Sequence, residues 1–318
     1  MATDAASSKG ARRALGAVRQ RTIKDSIGCT GIGLHSGSKV SMTLCPAEPD
    51  SGVVFVRKDK RGQEAEVQGR FDNVCDTALG TTLRNEDGVN VATVEHLCAA
   101  LWGAGIDNVR IELSGPEVPI MDGSAYPFVF LIECAGVVEQ PVARRWLRVR
   151  RPVEVEIGNS RLAVYPSEIF SADLAIEFDN RVIDRQTYRF AEGESGFKRE
   201  ISRARTFGFV EDVERMHAAG LALGGSLDNA VVVGDDGVIN EEGLRYQDEF
   251  VRHKLLDCIG DFFLTGHRMI GHVEGIRPGH RINNELLRAV FADDSNWSMS
   301  ELDDAVFSKA QEPSLAIA

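Results

Sequence analysis

Two segments of the chain carry residue types that bind a catalytic metal ion. His253 and Asp257 lie four residues apart in a stretch with helical periodicity, so their side chains lie one above the other on one face. His96 lies near the start of a second helical stretch. A catalytic zinc ion needs three nitrogen or oxygen ligands and one open position for water. His96, His253 and Asp257 therefore predict a single-zinc hydrolase site.

Three further residues could transfer protons beside such an ion. Glu95 precedes His96 and is well placed to be the general base for the attacking water. His280 follows a glycine at the entrance to the last helix, in a turn that would present its imidazole to a cleft. Asp261, one turn beyond the predicted ligands, could orient that imidazole and keep it charged. We therefore expect His280 to be the general acid for a leaving amine.

Spacing alone leaves other interpretations open. A pair such as His253 and Asp257 also occurs on solvated helix faces, and a lone histidine is more often a structural residue. Other ligand combinations can be drawn from the remaining histidines, which are His35, His217, His267 and His272. The spacing therefore favours a metal hydrolase without excluding these alternatives.

The elements that must position these residues alternate between strands and helices. A helix is predicted from Thr93 to Trp102, with Thr93 as N-cap and Gly103 or Gly105 at its end. Strands are predicted over 52–57, 89–91, 108–113, 174–178, 230–233 and 269–274. Two further helices are predicted over 247–264 and 283–291. Both halves run in the order hairpin loop, strand, ionisable-rich helix, strand. This order indicates an α+β fold with two similar domains.

The length of 318 residues also suggests two domains. A basic, β-branched stretch around residue 144 is the candidate junction, and we expect the active site where the domains meet. The predicted boundaries are a disordered N-terminal extension over 1–20, an α+β domain over 21–143, a second α+β domain over 144–292 and a flexible acidic tail over 293–318.

Composition constrains the partners and the compartment. The net charge of -12 argues against extensive binding of nucleic acid, because such binding needs a basic face. The chain lacks a secretory signal and any run near the ~20 apolar residues of a transmembrane segment. Its six cysteines have no C-x-x-C spacing. These features predict a cytoplasmic protein, and the lack of a long exposed apolar stripe predicts a monomer.

Six segments occur in an order that is specific to one family. They are GIGLHSG at 31–37, TVEHLCAAL at 93–101, PIMDGS at 119–124, SRARTFGF at 202–209, FVRHKLLDCIGD at 250–261 and GHRINN at 279–284. Together they resemble the UDP-3-O-acyl-N-acetylglucosamine deacetylase family, and the similarity runs from about Arg21 to about Val290. The resemblance implies zinc-dependent removal of an N-acetyl group from the UDP-linked, acylated amino sugar. The products would be UDP-3-O-acyl-glucosamine and acetate, in the committed step of lipid A biosynthesis.

The resemblance also implies roles for individual residues. The family's metal ligands match the three predicted above, with ferrous iron as the alternative to zinc. Its general base, general acid and acid partner match Glu95, His280 and Asp261. Lys254 and Thr206 match residues that stabilise the tetrahedral oxyanion. These roles meet the needs of amide hydrolysis, which are an activated water, stabilised negative charge and a protonated leaving amine.

Substrate-binding positions follow from the same resemblance. Phe178 and Phe207 match aromatic positions that line the nucleotide and sugar site, and Arg277 occupies a basic position suited to the diphosphate. The family's acyl chain lies in an apolar passage made by an insert in the second domain. The matching stretch, which could equally be an ordinary helix-to-strand turn, contains Val213, Leu221, Ala222, Gly224, Gly225 and Ser226.

Two alternative functions are open. A zinc amidohydrolase or peptidase for another substrate would keep the ligands but would not need Phe178, Phe207 or the apolar passage. A non-catalytic UDP-sugar-binding protein would keep the fold, but the intact Glu95, Lys254 and His280 argue against it.

Overall fold

A computed structural model describes residues 17–62, 65–193 and 196–302. The elements before residue 144 are β1 (Arg19–Ile23), β2 (Ile27–Ile32), β3 (Lys39–Pro46), β4 (Val53–Arg57), β5 (Glu66–Gln68), a 3-10 turn (Phe71–Asn73), β6 (Val74–Asp76), β7 (Thr82–Arg84), β8 (Asn90–Val91), α1 (Glu95–Ala104), β9 (Val109–Leu113), α2 (Tyr126–Ala135) and β10 (Val137–Ala143). Most of these strands alternate buried and exposed residues, as expected for sheets with one face on the core.

The elements after residue 144 follow the same mixed pattern. They are β11 (Trp146–Val149), β12 (Val153–Ile157), β13 (Ser160–Tyr165), β14 (Phe170–Glu177), β15 (Arg185–Ala191), α3 (Phe197–Glu200), β16 (Phe207–Phe209), α4 (Val210–Ala218), β17 (Val231–Val233), α5 (Glu249–Phe263), β18 (Arg268–Ile276), α6 (His280–Phe291), a 3-10 turn (Asp294–Asn296) and β19 (Trp297–Ser300).

Two larger sheets organise the described residues. One has the strand order β2-β3-β9-β4-β5, with β4 and β9 parallel and the other pairs antiparallel. The other has seven strands, in which β18 lies at the centre and pairs with β11, β13 and β14. Small sheets β1-β10, β6-β7-β8 and β16-β17 complete the pairing. Helices pack against these sheets, α2 on β2 and α5 on β14, β15 and β18, so the predicted α+β class is confirmed.

Helices α1 and α5 pack directly against each other and bring the two halves of the chain together. Every residue of α1 from Glu95 to Trp102 is buried, because the helix lies between α2 and α5. Gly260 makes the close contact possible, since a Cβ at this position would overlap the backbone carbonyl of Glu95. The metal-binding side chains predicted from sequence lie on these two helices.

The structure corrects one of the two predictions made for the ends of α1. Thr93 is not the N-cap of α1: the helix begins at Glu95, and the Thr93 hydroxyl donates to Glu117 Oε1 (3.2 Å) instead. Thr93 also has a left-handed backbone (φ 59°), which a capping residue does not adopt. The other end of α1 agrees with the prediction, because Gly105 closes it in the left-handed conformation (φ 70°).

The chain ends also differ from the predicted tails. β1 begins at Arg19, two residues inside the predicted extension, whereas residues 1–16 lie outside the described part of the chain. Residues 297–300 form β19, which pairs antiparallel with β11, so the prediction of a flexible tail from residue 293 is wrong over this stretch. A strand whose partner lies about 150 residues earlier leaves no local sequence signal. Residues 303–318 are outside the described part, and the other domain boundaries stay predictions.

Candidate metal centre and catalytic site

The three predicted ligands meet where α1 crosses α5. α1 supplies His96, and α5 supplies His253 and Asp257; one ligand atom from each lies within 4.8 Å of the others. Asp257 Oδ1 is 3.5 Å from His96 Nε2 and 3.3 Å from His253 Nε2. All three side chains are at least 95% buried. Among the described residues this is the one group of histidine, cysteine and carboxylate side chains with such spacing.

His253 is held in the form that binds a metal. Its Nδ1 lies 3.0 Å from the backbone carbonyl of Ala204, and this bond requires the proton to be on Nδ1. Nε2 then faces Asp257 with a free lone pair. Burial, in addition to the neighbouring His96, lowers the pKa of His253 to about 3 despite the opposing effect of Asp257. The imidazole is therefore neutral at physiological pH.

Asp257 offers a charged oxygen to the same point. Lys254 donates from Nζ to Asp257 Oδ2 (3.0 Å), while Oδ1 is buried without a hydrogen-bond donor among the described residues. Burial opposes ionisation, but the adjacent Lys254 ammonium holds the pKa of Asp257 well below its usual range. A buried carboxylate oxygen without a hydrogen-bond donor, beside two imidazole nitrogens, is destabilising unless a bound cation compensates its negative charge. The donor set therefore fits a zinc-type ion with three protein ligands.

Glu95 lies beside this group at the first turn of α1. Its Oε2 accepts a hydrogen bond from the backbone N–H of Thr81 (3.0 Å), and its side chain is 4% exposed. Burial raises the pKa of Glu95, and the neighbouring His280 and His96 offset part of that increase. A carboxylate with a raised pKa is suited to accept a proton from water.

His280 faces the centre from the first residue of α6. Its Nδ1 is 2.9 Å from Asp261 Oδ2, and its Nε2 is 3.9 Å from Glu95 Oε1 and 4.0 Å from Asp257 Oδ2. Burial opposes protonation, but Asp261 and then the other two carboxylates raise the pKa of His280 to about 9. His280 is therefore protonated near neutral pH and can donate a proton from Nε2.

A cavity of about 680 Å³ opens in front of these groups. Thr206, Phe207, Phe178 and Lys254 line it together with the residues described above. Lys254 Nζ lies 5.6 Å from the centroid of the Phe207 ring, and the rings of Phe178 and Phe207 pack edge to face at 5.8 Å. Burial opposes the positive charge of Lys254, but Asp257 raises the pKa of this amine. Lys254 is therefore a cation at the edge of the metal centre.

A second, mainly apolar cavity of about 320 Å³ adjoins the first. The residues that line both are Leu34, Leu79, Thr206, Phe207, Gly208 and Met216. Its wall also contains Val213, Ala222, Gly225 and Ser226 from the predicted passage. Leu221 lines the larger cavity, and Gly224 packs so tightly on Gly33 that a Cβ would overlap the Gly33 carbonyl. Ala222 and Gly225 thus line the apolar cavity, whereas Gly224 serves close packing, and the acyl passage stays a prediction.

Arg277 is the predicted site residue that the structure does not bring together with the rest. Its guanidinium lies 3.4 Å from Glu177 Oε2, and it is not among the residues that line either cavity. Arg215, which the sequence analysis missed, does line the larger cavity and pairs with Asp212. Helix α4 is strongly charged, and nothing in its sequence distinguishes Arg215 from a solvated residue.

The remaining histidines lie away from this centre. His217 Nε2 lies 3.0 Å from the Ala222 carbonyl, and His272 Nδ1 lies 2.9 Å from Ser171 Oγ. His35 lines the apolar cavity, and His267 lines a different pocket with Arg70 and Arg145. The alternative ligand sets that the sequence left open are therefore not brought together.

Thr81 and Asn283 are polar contacts of the site to which the sequence analysis gave no role. Thr81 contacts both Glu95 and Asp261, and Asn283 Nδ2 donates to Asp261 Oδ2 (2.8 Å). Asn283 lies in the GHRINN segment, whereas Thr81 lies outside every segment that drew attention. A threonine before a short strand carries no spacing signal.

Comparison with known proteins identifies the family of the chain. The family model described as UDP-3-O-acyl N-acetylglycosamine deacetylase matches residues 20–292. Proteins named UDP-3-O-acyl-N-acetylglucosamine deacetylase are similar to this chain over most of their length. The one from Marinobacter nauticus is 50% identical over 289 residues, which are 90% of this chain and 94% of the relative. The one from Tolumonas auensis is 49% identical over 285 residues, which are 89% of this chain and 92% of the relative. The chain belongs to the UDP-3-O-acyl N-acetylglycosamine deacetylase family.

Proposed function

We propose that this chain removes the N-acetyl group from UDP-3-O-acyl-N-acetylglucosamine, giving UDP-3-O-acyl-glucosamine and acetate, the committed step of lipid A biosynthesis. The observation that carries the proposal is the meeting of His96, His253 and Asp257 beside Glu95 and His280, in a cavity that adjoins a mainly apolar one. The names of the relatives support the substrate. We expect the enzyme to act in the cytoplasm as a monomer.

His96, His253 and Asp257 would hold one zinc ion, with ferrous iron as the alternative. When bound, the ion supplies Lewis acidity, which favours ionisation of water and offsets negative charge on the amide oxygen. The protein prepares this site in two ways. The Ala204 carbonyl fixes the tautomer of His253, and Lys254 keeps Asp257 ionised.

Glu95 and His280 divide the proton transfers between them. Glu95 takes a proton from the attacking water as the new C–O bond forms at the acetyl carbon. His280 then gives its Nε2 proton to the amide nitrogen as the C–N bond breaks, so the sugar leaves as a neutral amine. Asp261 holds the imidazolium in place through Nδ1. Lys254 and the Thr206 hydroxyl, from two residues that line the larger cavity, would stabilise the charge that develops on the carbonyl oxygen.

The two cavities suit the two ends of an acylated nucleotide sugar. We assign the sugar and nucleotide to the larger cavity beside Phe178 and Phe207, and the acyl chain to the apolar one beside Gly225 and Ser226. Each arginine has a carboxylate partner, but Arg277 lines neither cavity, whereas Arg215 lines the larger one. Arg215 is therefore the better-placed cation for the diphosphate.

The test is acetate release by metal-stripped protein that is titrated with zinc. We expect activity to rise up to one equivalent of zinc on UDP-3-O-acyl-N-acetylglucosamine. UDP-N-acetylglucosamine, which lacks the acyl chain, is the matched control and should react far more slowly, because the apolar cavity stays unused. Folded, zinc-bound protein that releases no acetate from the acylated substrate would contradict the proposal. Equal rates on the two substrates would instead favour an amidohydrolase with another specificity.

A further inference from the structure

Thr81 is a buried residue that contacts both sides of the proton-transfer machinery. It immediately precedes β7 and is 2% exposed. Its backbone N–H donates to Glu95 Oε2 (3.0 Å), and its hydroxyl donates to Asp261 Oδ1 (2.6 Å). The same Oγ1 lies 3.3 Å from His280 Nδ1. One residue thus links the proposed base to the partner of the proposed acid.

The hydroxyl bond determines which oxygen of Asp261 meets the imidazole. A threonine hydroxyl has one proton to donate, and the short bond to Asp261 Oδ1 uses it. Oδ2 is then left to accept from His280 Nδ1 (2.9 Å) and from Asn283 Nδ2 (2.8 Å). Without the hydroxyl, Oδ1 would be a buried oxygen with no donor, and rotation of the carboxylate towards other donors would move His280.

The backbone of Thr81 is itself fixed on helix α1. Its carbonyl accepts from the N–H of Val94 (3.3 Å), the residue before the helix, while its own N–H holds the carboxylate of Glu95. The segment is therefore tied to the start of α1 by two hydrogen bonds that do not involve the side chain. Loss of the hydroxyl alone leaves these contacts in place, which separates the effect on Asp261 from the effect on Glu95.

We propose that Thr81 is a positioning residue for catalysis: its hydroxyl orients Asp261, and through it the His280 acid, relative to Glu95. This proposal rests on the proposed function, because it assigns His280 and Glu95 their roles in amide hydrolysis. Thr81 is not among the residues that line either cavity, so its effect should fall on kcat and not on KM.

The experiment compares Thr81→Val with Thr81→Ser in zinc-loaded protein. Val keeps the shape and removes the hydroxyl, whereas Ser keeps the hydroxyl. We expect Thr81→Val to lower kcat about 10- to 100-fold with KM unchanged, and Thr81→Ser to stay within about threefold of the unmodified chain. Thr82→Val, at the next and half-buried threonine in β7, is the matched control and should not change kcat. Each variant should bind one zinc per chain.

A double-mutant cycle distinguishes positioning from a general loss of structure. If Thr81 acts through Asp261, adding Thr81→Val to Asp261→Asn should slow the enzyme little beyond Asp261→Asn alone. Two effects that multiply would overturn the proposal, as would a Thr81→Val variant as fast as the unmodified chain or a Thr81→Ser variant as slow as Thr81→Val. If Thr81→Val fails to fold, the Ser variant and Thr81→Ala are measured in the same cycle. An unmodified chain that is inactive with zinc would count against the proposed function instead.

Discussion

Gly260 of α5 lies against the backbone carbonyl of Glu95 in α1, at a distance that leaves no room for a Cβ atom. Each of these helices carries part of the proposed metal site, His96 on one and His253 with Asp257 on the other. The absence of a side chain at Gly260 therefore sets the separation of the ligands as well as the packing of the helices.

Gly260→Ala should push the two helices apart. We expect a lower melting temperature, equivalent to about 1–3 kcal/mol of overpacking, and a weaker affinity for zinc. Thermal unfolding with and without zinc, together with a zinc titration, measures both effects. Gly237→Ala is the control, because no atom lies within 4 Å of a Cβ there. A Gly260→Ala protein with unchanged zinc affinity would show that the ligand spacing tolerates this displacement.

A ligand and a base should respond differently to removal. His253→Ala takes away one of three ligands, so zinc affinity should fall strongly. Glu95→Ala should keep one zinc per chain and lower kcat about 10²- to 10⁴-fold, because it removes a base and no ligand. Zinc content by atomic spectroscopy and acetate release by a coupled assay separate the two cases. Normal turnover by Glu95→Ala would rule out its assignment as the base.

The pH profile should have an alkaline limb set by His280. The pKa of His280 is raised to about 9, and its protonated form is the proposed acid. The rate should therefore stay constant just below that pH and fall as pH rises through about 9. Asp261 is the largest of the groups that raise this pKa, so Asp261→Asn should move the limb to lower pH. The measurement is kcat/KM against pH for zinc-loaded protein. An alkaline limb at the same pH in both proteins would mean that another group causes it.

The buried Arg205 and Glu249 pair should be a large contributor to stability. Arg205 donates to Glu249 from its backbone N–H and from Nε (3.0 and 2.9 Å), next to Thr206. Glu249→Gln leaves the guanidinium buried beside a neutral group, and we expect a loss of about 3–5 kcal/mol in the free energy of unfolding. Glu242, which pairs with the same guanidinium but is largely exposed, is the control, and Glu242→Gln should change stability little. Urea unfolding of both variants tests this; equal losses would contradict the argument from burial.

The ligand set and the proton-transfer groups could be predicted because residue type and helical spacing encode them. His253 and Asp257 share one face of a helix whatever the tertiary fold, and Glu95 and His96 are adjacent in sequence. The contact between α1 and α5 could not be predicted from local sequence. It depends on Gly260, whose sequence context does not distinguish it from other helical glycines. Thr81 and β19 were missed for the same reason, since their partners lie far away in the chain. Thr93 was assigned as an N-cap from its residue type, but Glu117 offers its hydroxyl a tertiary partner.

The distribution of the metal-binding group over α1 and α5 also has a consequence for synthesis of the chain. His96 is made early, but both other ligands come from one helix more than 150 residues later. A chain still growing on the ribosome would hold a single imidazole and a carboxylate base, too little to retain an ion. Hydrolytic competence would then appear only when α5 docks on α1 and α6 brings His280 to the centre, so a product truncated before α5 would be inert.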